Sequence, residues 1–356
     1  MSDFVVSARK YRPQTFASVV GQSGITETLK NAIKEKQLPQ ALLFCGPRGV
    51  GKTTCARILA KNINKNSEEE NDFAFNIFEL DAASNNSVDD IRNLIDQVRI
   101  PPQTGSYKVY IIDEVHMLSP NAFNAFLKTL EEPPKHAIFI LATTEKHKII
   151  PTILSRCQIF DFQRIQIKDI AEHLALISSK ENITADPDAL FLIAQKADGA
   201  LRDALSIFDQ MVTFSGNKIT YQSVVENLNI LDYQWYFDIT DSTIKEDIPE
   251  SLIHFHNILD KGFDSHNFLI GLSDHFRNLL LCKDERSVEL LEVSENVKKK
   301  YLQQSKSIEN QVLLRSLAII NKSDVEYKLS KNQRLLVEFT LMQLCSLHQE
   351  AEKKKA

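Results

Sequence analysis

Five short apolar runs in the first part of the chain predict the strands of one sheet. They cover residues 41–45, 76–80, 108–112, 137–142 and 158–162. The stretches between them carry apolar residues at the three- and four-residue spacing of amphipathic helices. Because strands that alternate with helices assemble into a parallel sheet, this pattern predicts an α/β domain over residues 1–163.

Two of the intervening helices have clear start signals. Ser87 and Asp90 form a capping box ahead of the apolar positions spaced along residues 91–98. Ser119, followed by a proline, opens the second helix, and two consecutive prolines close it. Both helices are therefore predicted to lay an apolar face on the sheet.

The strand pattern stops near residue 163, and the chain beyond it has helical spacing. A small helical domain is predicted over residues 164–228, because helical patterns recur there. The three predicted helices are 165–179, 186–197 and 200–214.

A further all-α domain is predicted over residues 229–347. Its helices are densely apolar, with Leu313, Leu317 and Ile320 on one face. Helices this apolar need partners within the domain or on another subunit. The charged residues 348–356 predict a disordered tail.

Composition and charge exclude several classes of protein. The chain has 356 residues, 43% hydrophobic and 25% charged, which suits two or three globular domains. No signal pattern or membrane-spanning window is present, so we expect a cytoplasmic protein with no membrane partner. The five cysteines form no C-x-x-C pair and support neither a disulfide framework nor a zinc site. A net charge of −5 argues against nucleic-acid binding through bulk charge and leaves a local basic patch open.

The segment between the first predicted strand and the next helix matches a phosphate-binding loop. It reads G-x-x-x-x-G-K-T from Gly46 to Thr53. Such a loop turns consecutive backbone N–H groups toward phosphate oxygens, and the helix N-terminus adds partial positive charge. We expect Lys52 to reach the β- and γ-phosphates of ATP and Thr53 to ligate Mg²⁺. The predicted nucleotide-binding residues of this segment are Gly46, Pro47, Arg48, Gly49, Val50, Gly51, Lys52, Thr53 and Thr54.

Two adjacent carboxylates end the third predicted strand and indicate a catalytic centre. In nucleotide hydrolases such a strand runs alongside the phosphate-loop strand, so Asp113 would hold the Mg²⁺ shell. Glu114 would orient and deprotonate the attacking water. Thr144, which follows the next strand, has a hydroxyl that can bond the attacking water or the γ-phosphate. From spacing alone, Arg156 and Arg202 favour surface salt bridges over a role in phosphoryl transfer.

These motifs resemble those of the gamma/tau ATPases of the bacterial DNA polymerase III clamp loader, which are AAA+ proteins. The run Ser155-Arg156-Cys157 is typical of clamp-loader subunits. The resemblance implies a parallel-sheet AAA+ ATPase domain, a small helical lid domain, and an all-α collar domain that holds a pentameric ring. It weakens after residue 230 and is densest in the phosphate loop and in residues 8–13, 80–84, 112–118, 126–134 and 153–157.

The resemblance also implies roles for individual residues. Thr144 matches the sensor 1 position, and Arg202 matches the sensor 2 arginine, which acts in cis. Arg156 matches the arginine finger that reaches ATP on the neighbouring subunit. Arg92 and Lys148 lie at positions comparable to those that contact DNA phosphates. The residues that match segments enclosing the adenine and ribose are Tyr11, Arg12, Val19 and Val20.

The implied function is ATP-driven opening of the sliding clamp and its placement on primer–template DNA. The implied partners are the delta and delta-prime subunits, other copies of the chain, the sliding clamp and primer–template DNA. Two alternatives are a non-hydrolysing ring subunit and another AAA+ machine, such as a branch-migration motor. The intact Lys52 and Glu114 argue against the first, and the run Ser155-Arg156-Cys157 argues against the second.

One segment departs from the family pattern. The family usually inserts a four-cysteine zinc module after the phosphate-loop helix, whereas residues 61–75 contain no cysteine. Because tetrahedral zinc needs about four nitrogen or sulfur ligands, we expect no zinc there.

Overall fold

The computed structural model describes residues 5–64, 76–103 and 105–353, with side chains up to residue 347. The chain divides into two compact units. One comprises Met1–Asn182 with Ile193–Thr213, and the other Ile183–Leu192 with Phe214–Ala356. This division crosses the predicted lid domain, 164–228, and the predicted domain boundaries stay a prediction.

The first unit is built on a five-stranded parallel sheet, as the sequence predicts. The strand order is β2-β3-β4-β1-β5. Each strand lies within one residue of the predicted apolar run at either end. The strands are β1 (Ala41–Cys45), β2 (Ile77–Asp81), β3 (Lys108–Asp113), β4 (Ala137–Thr143) and β5 (Gln158–Asp161).

Helices cover both faces of this sheet. Successive strand residues point to opposite faces, so Leu43 and Leu42 enter different apolar layers. The predicted capping box is present: Ser87 Oγ accepts from the Asp90 N–H over 3.2 Å. The helices around the sheet are α1 (Ser7–Lys10), α2 (Ser23–Lys34), α3 (Lys52–Ile63), α4 (Val88–Val98), α5 (Pro120–Glu131) and α6 (Pro151–Leu154). Short 3₁₀ turns lie at Phe16–Ser18, Val115–Met117 and Lys146–Lys148.

The three helices predicted after the sheet are all present. They are α7 (Ile167–Lys180), α8 (Pro187–Lys196) and α9 (Leu201–Ser215), followed by α10 (Tyr221–Asn227). Two strands that the sequence analysis did not predict, β6 (Thr184–Ala185) and β7 (Lys218–Ile219), pair in parallel. Each has only two residues, too few to show a period.

The remaining helices form the mostly helical second unit. They are α11 (Tyr233–Ile244), α12 (Ile248–Asp260), α13 (Ser265–Leu281), α14 (Glu295–Ser305), α15 (Asn310–Tyr327) and α16 (Gln333–Lys353), with a 3₁₀ turn at Val288–Leu290. Leu313 and Ile320 are fully buried, and Leu317 packs against the same core, so the predicted apolar face is confirmed. The predicted tail, 348–356, overlaps the end of α16, where side chains lie outside the described residues. Among the described helices, none is long and apolar enough to cross a membrane.

A buried histidine organises a polar network in this helical core. Both ring nitrogens of His275 lie 3.0 Å from a partner, the Tyr301 hydroxyl at Nδ1 and Gln304 Oε1 at Nε2. The Gln304 amide in turn donates to the Phe237 carbonyl and to Asp241 Oδ1. Burial lowers the pKa of His275 to about 3, so the ring is neutral at physiological pH.

Candidate nucleotide-binding site

The phosphate loop connects the end of β1 to the start of α3 through a conformation that only glycine adopts easily. Gly46 has φ of +145°, and a Cβ there would lie 2.3 Å from the Phe162 carbonyl oxygen. Gly51, with φ of +104°, is the N-cap of α3. The loop is therefore held tightly against the end of β5, and its backbone turns directly into a helix N-terminus.

Lys52 lies inside this loop. Its side chain is only 6% exposed, and its Nζ donates to the carbonyls of Gly46 and Pro47, each over 2.7 Å. Burial lowers the pKa of Lys52, while the carboxylates of Glu114 and Asp113 act in the opposite direction. The first turn of α3 thus presents a cation beside the two acids that end β3.

The two predicted magnesium ligands are in direct contact. Thr53 Oγ1, in the first turn of α3, donates to Asp113 Oδ2 over 2.7 Å. A hydroxyl and a carboxylate fit Mg²⁺, which takes oxygen ligands and keeps several positions for water and phosphate. The described residues contain no cluster of three or more His, Cys, Asp or Glu side chains that could hold a metal by themselves.

Glu114 is held by the strand next to its own. Its backbone is left-handed, with φ of +48°, and its carboxylate accepts from Thr144 Oγ1 over 2.9 Å and from the Thr144 N–H over 3.3 Å. His116 Nδ1 lies 3.4 Å from the same carboxylate oxygen and 3.1 Å from Thr143 Oγ1. The ends of β3 and β4 therefore fix the orientation of the predicted base.

His116 is a site residue that the sequence analysis did not single out. Its side chain is 8% exposed, and its Nε2 lies 3.2 Å from Glu145 Oε2. The ring thus bridges two carboxylates, those of Glu114 and Glu145. The sequence signal that could have identified His116 was its position two residues after the acidic pair.

A cavity of about 180 Å³ joins these groups. The loop residues Arg48 to Thr54 line it together with Asp113 and Glu114. The lining also includes Arg202 and all four residues predicted to enclose the base, which are Tyr11, Arg12, Val19 and Val20. The lining residues that were not predicted to contact nucleotide are Ala8, Pro13, Ile165, Leu201 and Leu205.

Arg156 does not line this cavity. One guanidinium nitrogen donates to the Thr152 carbonyl over 2.7 Å, and the other pairs with the Glu131 carboxylate. Its side chain is 31% exposed. Arg156 is thus held by residues of α6 and α5 rather than by the phosphate loop of its own chain.

The predicted DNA contacts lie on the surface in local ion pairs. Arg92 pairs with Asp89 over 3.3 Å within α4, and Lys148 pairs with Glu145. Neither residue lines the nucleotide cavity. The segment predicted to lack a zinc module, 61–75, falls mostly outside the described residues.

Comparison with solved structures shows which fold this is. The chain is similar to the Holliday junction branch migration motor RuvB of Thermotoga maritima, with a TM-score of 0.50 at 20% identity. The similarity covers 66% of this chain and 79% of that one. A parallel sheet with a phosphate loop, followed by helices that complete the nucleotide cavity, defines the AAA+ ATPase fold.

Family models and sequence relatives identify the family. Residues 21–166 match the model for the DNA polymerase III delta subunit. Residues 169–217 match the ATPase lid domain of the DNA polymerase III clamp loader subunit, and 219–356 match domain III of subunits gamma and tau. The chain therefore belongs to the gamma/tau family of DNA polymerase III clamp-loader subunits, which act in DNA replication.

Two relatives illustrate how much of this family the chain covers. It is 40% identical to DNA polymerase III subunit tau of Bacillus subtilis, over 96% of this chain and 64% of that protein. It is 34% identical to DNA polymerase III subunit gamma of Buchnera aphidicola, over 97% of this chain and 98% of that protein.

Proposed function

We propose that this chain is an ATP-hydrolysing motor subunit that opens the sliding clamp and loads it on primer–template DNA. The observation that carries the proposal is the meeting of three groups in one cavity. Lys52 lies in the phosphate loop, Thr53 contacts Asp113, and Glu114 is oriented by Thr144. A subunit that only filled a place in a ring would need none of these contacts.

The residues of one chain supply most of the groups that phosphoryl transfer needs. Lys52 would balance charge on the β- and γ-phosphates. Thr53 and Asp113 would hold Mg²⁺, which would neutralise the charge that develops in the transition state. Glu114 accepts the proton of the attacking water while Thr144 keeps its carboxylate in place. Arg202, which lines the same cavity, stabilises the transition state in cis.

Arg156 completes the site of a neighbouring copy in this proposal. Its position away from its own cavity supports a role in trans. The Glu131 ion pair would have to open for the guanidinium to reach a neighbour's phosphate, which makes turnover dependent on assembly. An isolated chain should therefore hydrolyse ATP slowly.

The proposed partners are the delta and delta-prime subunits, other copies of this chain, the sliding clamp and primer–template DNA, in the cytoplasm. The family to which the chain belongs supports this set. Arg92 and Lys148 would follow the DNA backbone without reading sequence, once their local ion pairs exchange for phosphates.

The test is ATP turnover of the reconstituted complex, measured with and without clamp and primed DNA. We expect turnover to rise when both are present and clamp to remain on the DNA afterwards. Turnover that ignores clamp and DNA would contradict the clamp-loading function. A complex that binds no ATP would contradict the proposed enzyme.

A further inference from the structure

The N-terminal segment that lines the nucleotide cavity is fastened to the helices that follow the sheet. Ala8, Tyr11 and Arg12 form one wall of the cavity. The same segment includes α1, a single helical turn too short to hold its position alone. Its position over the cavity must therefore come from contacts elsewhere in the first unit.

One fastening is the carboxylate of Glu181, directly after α7. Its Oε1 accepts from the Tyr11 hydroxyl and from Lys10 Nζ. Those hydrogen bonds lower the pKa of Glu181, so the carboxylate is charged at neutral pH. Burial and Glu181 raise the pKa of Tyr11, so the phenol stays protonated and able to donate. Lys180 Nζ also lies 5.9 Å from the centre of the Tyr11 ring.

The second fastening is the carboxylate of Asp209 on α9. Its Oδ2 accepts from the backbone N–H of Ser7 over 2.7 Å, and Ser7 is buried. Arg202, Leu205 and Asp209 are spaced at i, i+3 and i+7, so they share one face of α9. The face that lines the cavity with Arg202 and Leu205 therefore continues to the carboxylate that holds Ser7.

We propose that Glu181 and Asp209 are positioning residues that clasp the N-terminal segment over the base of the bound nucleotide. Tyr11 and Arg12 enclose the base only while both carboxylates hold the segment. The helix that carries Asp209, α9, also carries the cavity-lining residues Arg202 and Leu205. This inference rests on the proposed ATP-binding function.

A comparison of ligands with and without a base distinguishes this positioning role from a general structural role. The hydrogen bonds of the Glu181 and Asp209 carboxylates go to the N-terminal segment and not to the phosphate loop, so we expect phosphate affinity to be independent of them. ATP and inorganic tripolyphosphate share the phosphates, and only ATP carries a base. The clasp should matter for ATP alone.

The experiment measures binding of both ligands, with Mg²⁺, to the full chain by calorimetry. Glu181→Ala and Asp209→Ala should each weaken ATP binding about tenfold, because a charge-assisted hydrogen bond is lost and the binding-competent segment is less populated. Tripolyphosphate binding should stay within about twofold of wild type. Glu172→Ala, an exposed carboxylate on α7, is the matched control and should change neither ligand.

Tyr11→Phe tests the contact itself, because it removes the hydroxyl and keeps the ring. The double variant, Tyr11→Phe with Glu181→Ala, should lose less ATP affinity than the product of the fold-losses of the two single variants, because both substitutions remove the same hydrogen bond. Equal weakening of ATP and tripolyphosphate by Glu181→Ala, or no change in either, would overturn the clasp while the ATP site stands. Wild-type chain that binds tripolyphosphate and ATP equally would also overturn it. Failure of the wild type to bind ATP would remove the proposed function and the clasp with it.

Discussion

Thr53 donates a hydrogen bond to the carboxylate of Asp113 over 2.7 Å, although 60 positions separate the two residues in the chain. Thr53 lies in the first turn of the helix after the phosphate loop, and Asp113 is the last residue of a strand of the sheet. Their contact is the structural link between the nucleotide-binding motif and the acidic pair. The next residue, Glu114, accepts a hydrogen bond from Thr144, which directly follows the neighbouring strand.

Removal of the Lys52 ammonium should abolish nucleotide binding. The side chain is buried in the loop, and its ammonium donates to two of the loop's carbonyls. We expect Lys52→Ala to weaken ATP binding at least about a hundredfold, because the phosphate charge is left unbalanced. Lys61→Ala, at the other end of the same helix, is the control and should bind normally. Near-wild-type affinity of Lys52→Ala in a fluorescent-nucleotide titration would refute the assignment of the loop.

Glu114→Gln should separate binding from chemistry. The amide keeps the shape and still accepts from Thr144, but it cannot take a proton from water. ATP affinity should stay close to wild type while turnover falls by about 10²-fold or more. Equilibrium binding measures the ATP affinity, and steady-state phosphate release measures the turnover. Unchanged turnover would mean that another group is the base.

Acid should destabilise the helical unit through His275. Its pKa is lowered to about 3 in the folded chain from 6.5, so the unfolded chain binds more protons between those values. The stabilising contribution is therefore complete above pH 6.5 and is lost as the pH falls toward 3. Between pH 7 and 5 the protonation of this single group in the unfolded chain should lower the free energy of unfolding by about 2 kcal/mol.

The comparison that isolates this effect is wild type against His275→Gln, followed by the fluorescence of Trp235, the only tryptophan. At pH 7 the variant should be less stable, because it loses packing and hydrogen bonds to Tyr301 and Gln304. The difference in unfolding free energy between wild type and variant should be smaller by about 2 kcal/mol at pH 5. A gap that does not change with pH would show that His275 is not buried in neutral form.

Gly271→Ala should destabilise the same unit by overpacking. A Cβ at this position of α13 would lie 2.0 Å from the Tyr236 hydroxyl oxygen, and Tyr236 is itself buried. We expect a loss of about 1–3 kcal/mol in denaturant unfolding followed by Trp235 fluorescence. The adjacent Ile270→Ala, at a position 44% exposed, is the control and should cost less. Equal stability of the Gly271 variant and wild type would mean that Tyr236 moves freely.

The sequence was enough for those features that depend on nearby residues. Strands β1, β3 and β4 are almost wholly buried apolar runs, and the phosphate loop is a single segment, so these features were predicted with small errors at the ends. Thr144 was singled out by its position after a strand and by the resemblance, and it contacts Glu114. The role of Arg202 came from the resemblance, and this residue lines the cavity.

The features that were missed depend on residues distant in sequence. Tyr11 and Glu181 are 170 positions apart in the chain, and Ser7 and Asp209 are 202 positions apart. No local sequence pattern predicts either contact. A carboxylate after a helix is ordinarily a surface charge. Only the folded chain shows that these two hold the N-terminal segment.

Mixing two inactive variants tests most directly whether this chain hydrolyses ATP at sites shared between copies. Lys52→Ala lacks a working phosphate loop, and Arg156→Ala should bind ATP but lack the group that completes a neighbour's site, worth about 10³-fold or more in related phosphoryl transfers. Reconstituted with the other subunits, clamp and primed DNA, each variant alone should be nearly inactive. A mixture should regain turnover, because an intact loop on one copy then meets an intact Arg156 on the next. The account would be contradicted if the mixture were as inactive as each variant alone and if turnover of the monomeric wild type depended fully on Arg156. Arg156 would then act in the site of its own chain and not in a site shared between copies.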